Sequence, residues 1–205
     1  SGAEMVQGVL AEGVEATVTA LAGRYDVPAE RIRADLDALM RELLQARLLE
    51  PSGAARGRGW RASSARVLVP LALRVPGVTR APRALLAIAR ASFLAFGWSD
   101  TVEAFATSLR SRAVPRPVTA DAAEVGRVDE MIRAAAARMP SVACKERAIG
   151  AWYLLGLEGV PASLVVGIQL YPLGGHCWCE AEDRVVTDFA DHCAAYKQVA
   201  RYEAQ

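Results

Sequence analysis

Apolar residues recur along this chain at two periods, and the change from one to the other divides it. Residues 3–22 carry a helical pattern that Gly13 interrupts, predicting one amphipathic helix or two short ones. The following run, RYDVPAERIRADLDALMRELLQARLLE, places Ile32, Leu36, Leu39, Met40 and Leu43 on one stripe of a helix. Asp26 ahead of Pro28 is a helix-start signal, because proline suits a first turn. Residues 51–65, PSGAARGRGWRASSA, lose the period and read as a Gly/Ser/Arg linker. Helical spacing returns in APRALLAIARASFLAF and in SDTVEAFATSLRSR, with Ser99 or Asp100 as the N-cap of the second. After a break at residues 115–118, DAAEVGRVDEMIRAAAARMP predicts a helix begun by Asp121 and stopped by Pro140.

Beyond Pro140 one more helix gives way to strands. CKERAIGAWYLLGLEGVP sets Ala148, Ala151, Trp152 and Leu155 at helical spacing behind Cys144, and Gly159 with Pro161 supplies the stop. SLVVGIQL, HCWCEA and RVVTDF then read as three strands. On the middle one His176, Trp178 and Glu180 share a face, while Cys177 and Cys179 share the other, where small thiols suit packing against a helix. With Ala181-Glu182-Asp183 as a three-residue hairpin loop, Glu180 faces Arg184, Trp178 faces Val186 and His176 faces Asp188. A two-residue loop at Glu182-Asp183 would set Asp188 opposite Cys177 instead. The pairing of opposite charges favours the longer loop. The whole pattern predicts an α+β fold with a small antiparallel sheet, organised as a helical segment over 1–52, a linker over 53–65 and a domain over 66–205.

Composition narrows the class. With 53% hydrophobic and 23% charged residues, the 205-residue chain can build a core and is ordinary for a soluble protein. A net charge of +1 lacks the uncompensated positive charge of a nucleic-acid footprint. No run reaches the roughly 18 apolar residues of a membrane span. The nearest, LVPLALRVPGV, is broken by Arg74 and two prolines. No secretion signal opens the sequence, and four crowded cysteines show no disulfide framework, so free thiols and a cytoplasmic location are expected.

A thiol with the ordinary pKa of about 8.5 is mostly protonated at neutral pH, so a nucleophilic cysteine needs local help. Cys144 opens a helix, whose unpaired N–H groups and partial positive charge favour a thiolate and can hold an oxyanion. His176 is the candidate base and acid, and Asp188 the carboxylate that orients it. Asp183 and Asp191 fall out of reach in the favoured register. Lys145 and Arg147 add positive charge and are expected to face solvent. Trp178, on the face of His176, is the candidate substrate contact. A rival reading is a metal site drawn from His176, Cys177, Cys179, His192 and Cys193. Strand parity turns Cys177 and Cys179 away from His176, and adjacent His192 and Cys193 diverge, so no metal is expected. Nor is a cofactor, since no phosphate-cradling loop occurs and thiol hydrolysis needs none.

These residues carry a resemblance. CKERAIGAWYLLGLEGVPASLVVGIQL and GGHCWCEAEDRVVTDF resemble the leader-peptidase domain of lasso-peptide biosynthesis, the B protein, a papain-related cysteine protease of transglutaminase-like fold. The matching positions are Cys144, Gly159-Val160-Pro161, Gly167, His176 to Glu180, and Asp188. Ala148 and the cysteines at 177 and 179 depart from that pattern without touching the triad. The first fifty residues, with Gly13, the helical run above and Leu48-Leu49, resemble the helical part of a winged-helix, PqqD-like domain that recognises leader peptides. In that family a leader extends the edge of strands placed before the first helix. This sequence opens on the helix. Arg31 and Asp35, off the apolar stripe, stand as candidate leader contacts beside the plainer reading of a solvated face. The resemblance implies a cysteine peptidase that removes the leader from a lasso precursor peptide, with a separate ATP-dependent cyclase as partner. A transglutaminase-like acyltransferase and a non-catalytic peptide-binding module are compatible with the same residues.

Overall fold

The apolar stripes of the first 45 residues find their partners in two clusters. In a computed structural model describing residues 2–45, 55–112, 122–170 and 173–203, Gly13 (φ 86°) separates α1 (Gly2–Glu12) from α2 (Val14–Tyr25). Asp26 caps α2 in the left-handed conformation, and α3 (Ala29–Gln45) starts just after Pro28, whose carbonyl accepts the Arg31 and Ile32 N–H groups. Ile32 and Leu36 pack with Val18 and Leu21, whereas Leu43 packs with Val6 and Ile168 and so ties the helices to the sheet. The Gln7 amide adds a 2.6 Å hydrogen bond to the Gln198 carbonyl. Leu48-Leu49, the break at 115–118 and Asp121 lie outside the described residues.

The expected linker is helical from Ala55, which corrects that reading over 55–65. Helix α4 (Ala55–Leu73) buries Ala65, Val69 and Leu73, spaced four apart. Alanine and arginine are strong helix formers, and that stripe lends packing energy to an N-terminal half whose Gly57 and Gly59 cost about 1 kcal/mol each. A 3₁₀ turn (Val78–Arg80) leads into α5 (Pro82–Arg110). Gly97 (φ 80°, ψ −170°) interrupts α5 two residues ahead of the predicted cap at Ser99, and Phe93 stacks on Trp98 across the break with ring centroids 5.4 Å apart. Helix α6 (Ala122–Ala136) follows.

Helix α7 (Cys144–Leu157) runs through the main core. Ala148, Ile149, Ala151, Trp152, Tyr153 and Leu155 are all buried, each large side chain contributing about 1.5–3 kcal/mol. A Cβ on Gly150 would meet Leu86 at 3.2 Å and Ile132 at 3.4 Å, so glycine lets α5 and α6 close on α7. Within the core the Tyr153 and Ser108 hydroxyls share a 2.9 Å hydrogen bond.

Four antiparallel strands form the sheet, in the order β3-β2-β1-β4. The three predicted strands are β1 (Ala162–Leu170), β2 (Leu173–Ala181) and β3 (Arg184–Val186). A short α8 (Ala190–Ala194) and β4 (Lys197–Glu203) were not predicted. Cys177 and Cys179 join the core shared with α7, while Trp178 packs with Val165 and Cys193 on the opposite face, as strand parity requires. The result is an α+β fold. No helix among the described residues is long and apolar enough to cross a membrane.

Candidate active site

Helix α7 presents Cys144 in its first turn. Ala143 is extended, and its N–H donates to the buried Glu146 carboxylate at 2.7 Å, half of a capping box that sets where the helix begins. Cys144 is half-buried at the edge of the core. It lies close enough to Cys177 and Cys193 for a charge on its sulfur to be felt at both.

His176 is set by its neighbours on the sheet. It pairs with Gly167 across β1 and β2, and a Cβ on that glycine would collide with Trp178 at 2.9 Å and Tyr196 at 2.8 Å. The space glycine leaves is filled by the Trp178 ring, which stacks on the imidazole at 5.9 Å and 21°. Trp178, expected to meet substrate, is only 4% exposed and donates its indole N–H to Glu180 at 2.7 Å, so its ring acts on His176. Tyr196 closes the other side, 4.9 Å away.

The route to Asp188 differs from the one expected. The β2–β3 loop has two residues, Glu182 and Asp183, both at positive φ (50° and 58°), with Ala181 paired to Arg184 and Glu180 to Val185. Glu180 therefore does not face Arg184. Its charge partner is Arg201 on β4, at 2.6 Å. Continued straight, this register would put Asp188 opposite Cys177. The strand instead ends at Val186, and Thr187, at φ 71°, turns the backbone so that Asp188 reaches His176. Asp188 Oδ2 lies 2.8 Å from His176 Nε2. Helix α6 clamps this turn: Asp129 accepts the Thr187 N–H at 2.5 Å and the Arg133 Nε–H at 2.7 Å, and Arg133 donates to the Asp188 carbonyl.

Asp188 is a hub. Its other oxygen accepts the Phe189 N–H at 2.8 Å and lies 3.0 Å from His192 Nδ1. Arg147, expected to face solvent, instead brings a guanidinium nitrogen to 3.6 Å from Asp188. Lys145 lies over the Phe93 ring at 5.0 Å. Burial pushes the Asp188 carboxyl up, but the His192 and Phe189 hydrogen bonds and the His176 charge outweigh it and hold the group below the usual range. Burial lowers the His176 pKa, with Asp188 opposing, so the neutral imidazole is favoured. Among the described residues His176 Nδ1 makes no hydrogen bond, and none joins it to Cys144.

Tyr196 and the Asp129–Arg133 clamp escaped the sequence reading, and so did the contacts of Arg147 and His192 with Asp188. Arg147 left a trace there, three residues after Cys144 and so on the same side of the helix, and His192 stood only as a candidate metal ligand. Among the described residues the one group with metal-compatible spacing is His176, Asp188 and His192, whose ligand atoms lie within 4.8 Å of one another. Both imidazoles already hydrogen-bond the carboxylate. The cysteines named in the rival reading are not part of it.

A thiol at the start of a helix, with a strand-borne imidazole held by a carboxylate, is the set of groups that papain-like and transglutaminase-like proteins use. The model of the transglutaminase-like superfamily matches residues 93–201, more than half of the chain, and the chain belongs to that superfamily. The model of coenzyme PQQ synthesis protein D (PqqD) matches residues 1–49. The two domains, in this order, match the lasso-peptide B protein with its leader-recognition domain in front. No curated protein and no solved structure matches the chain.

Proposed function

We propose that this protein is a cysteine peptidase that removes the leader from a lasso precursor peptide, with Cys144 as nucleophile, His176 as base and acid, and Asp188 as orienter. The observation that carries the reading is the 2.8 Å contact of Asp188 with His176 Nε2, which leaves Nδ1 as the nitrogen to serve a thiol. In the first step the Cys144 proton passes to Nδ1 and the sulfur attacks the scissile carbonyl. The N–H groups of the first turn of α7 stabilise the oxyanion. The imidazolium then protonates the departing amine, the first residue of the core peptide, and a thioester remains. Water, losing its proton to His176, hydrolyses that thioester and releases the leader. Asp188 keeps the imidazole in the tautomer this sequence needs.

Leader capture falls to the N-terminal helices. A cavity of about 510 Å³ is lined by Leu21, Tyr25, Val27 and Ile32, with Arg31 and Asp35 also on its wall. Apolar leader side chains would fill it, and the two charged residues would fix their register. A partner cyclase would take the freed amine. Handing the thioester to an amine instead of water would make the protein an acyltransferase, a reading equally compatible with the superfamily match. Incubation with precursor peptide, read by mass spectrometry, separates the cases. Cleavage at one bond that Cys144→Ala abolishes supports the peptidase. Amine incorporation would replace it with the transferase, and binding without turnover would leave a peptide-binding module.

A further inference from the structure

Helix α4 and the start of α5 lie between the two matched regions, and neither the active site nor the leader cavity uses their outer surface. Val67, Leu68 and Leu71 project from the side of α4 away from the buried Ala65–Val69–Leu73 stripe, Val75 follows in the turn after the helix, and the four are 54–64% exposed. Leu94 on α5 is 74% exposed. With Trp60 on α4, 65% exposed, six of the nine large apolar side chains that stand most exposed among the described residues belong to this one hairpin.

Its charge is equally one-sided. Residues 51–99 contain eight arginines and no aspartate or glutamate, in a chain whose net charge is +1. Arg66, Arg74, Arg80 and Arg83 are exposed and Arg90 half-buried, and none of the five joins an ion pair among the described residues. Among the described residues seven arginines elsewhere pair with carboxylates, as Arg33 does with Glu15 and Arg110 with Glu103, whereas Arg31, Arg41, Arg138 and Arg184 stand singly on other parts of the surface.

We propose that this hairpin seats the protein on an anionic phospholipid surface, with the apolar stripe of α4 in the headgroup boundary and the exposed Arg66, Arg74, Arg80 and Arg83 on lipid phosphates, while Arg90 stays bound to the Ser141 carbonyl. A basic helix with an apolar exposed face suits that boundary, where long arginine stems let the charge reach phosphate while the helix lies flat. Trp60, 65% exposed on the same side of α4, adds an aromatic ring of a kind found at headgroup boundaries and at protein interfaces alike, so it is the unpaired arginines beside the stripe that favour an anionic lipid surface. Nucleic acid would use the arginines and leave the leucines in water. The attachment is peripheral. It would place the active site at a membrane without a spanning helix.

The test is co-sedimentation of the full chain with phosphatidylcholine vesicles and with vesicles containing about one-quarter phosphatidylglycerol. Binding only to the anionic vesicles, weakening as salt shortens the Debye length, is expected. Leu68→Glu/Leu71→Glu should weaken that binding at least about tenfold, given the insertion cost of charge, with circular dichroism and cleavage of a soluble peptide unchanged. As a second readout, a polarity-sensitive dye on Leu68→Cys should shift to the blue with anionic vesicles. No binding, binding that the double substitution leaves intact, or self-association in lipid-free buffer that the double substitution abolishes would each overturn the proposal. Co-sedimentation, the dye shift and self-association are each read without peptidase activity, and circular dichroism alone suffices as the folding control.

Discussion

Asp129→Ala tests directly how Asp188 is held beside His176. Asp129 touches neither residue, yet it accepts the Thr187 N–H at 2.5 Å and orients Arg133, which donates to the Asp188 carbonyl. Thr187 sits at φ 71°, a conformation that costs a β-branched residue about 1–3 kcal/mol unless its surroundings impose it. A hydrogen bond to a charged group contributes about 1.5–3 kcal/mol. Without the Asp129 carboxylate, Thr187 is free to relax toward an extended strand, and that would carry Asp188 back toward the Cys177 side. If about 2–3 kcal/mol of that restraint acts on the imidazole, the chemical step slows by about 30- to 150-fold. Single-turnover cleavage of the precursor peptide, followed by mass spectrometry, measures it. Asp129→Asn keeps an acceptor and should stay within a few-fold of the parent. Adding Thr187→Gly to Asp129→Ala should restore part of the rate or lower it further, and the sign is informative: recovery means glycine holds φ 71° without strain, and loss means the clamp had to act against a flexible chain. A folded Asp129→Ala protein that cleaves within twofold of the parent would refute the argument that this turn aligns the site.

Three further outcomes follow from the same geometry. Gly167→Ala should cost about 1–3 kcal/mol by overpacking, because its Cβ would meet Trp178 and Tyr196 below 3 Å; a melting temperature within a degree of the parent would count against that contact. Tyr153→Phe leaves the buried Ser108 hydroxyl without its partner and should destabilise by about 1–2 kcal/mol in urea unfolding. Because burial lowers the His176 pKa, the unfolded chain takes up a proton that the fold refuses as pH falls below about 6.5, and stability drops there. Asp188, held low, contributes stability that is lost only in stronger acid, as pH falls from about 3.9 through its folded value. Melting temperatures across pH 7.5 to 5 should therefore flatten in His176→Gln, and an unchanged slope would contradict the assignment.

The residues of the candidate site were legible because each sits in a pattern with local cause. Cys144 opens an apolar-periodic helix, and alternation alone places His176 opposite Cys177 and Cys179. The way Asp188 arrives was not legible. A type I′ turn at Glu182-Asp183 without glycine, and a threonine at positive φ, both go against local preference and exist because α6 holds the next residues. Charge pairing misled for a related reason: Glu180 has its partner on β4, twenty-one residues away, and not across the hairpin. Strand β4 itself, KQVARYE, has too few apolar residues to announce a strand; one of its edges is exposed and its main support is pairing with β1. Helix α4 was hidden by the glycines at its start, while Ala65, Val69 and Leu73 gave it a buried stripe that only a partner helix could reveal.

The burial of three of the four cysteines has a practical consequence. Desolvation pushes the Cys177 and Cys179 thiols well up, and Cys193 to about 12, so none of them offers thiolate at neutral pH. Cys144 alone among the four is not fully buried. The protein therefore carries its own titrant site: brief treatment with one equivalent of iodoacetamide should add a single carbamidomethyl group, and the mass shift of the intact chain should count competent molecules in any preparation.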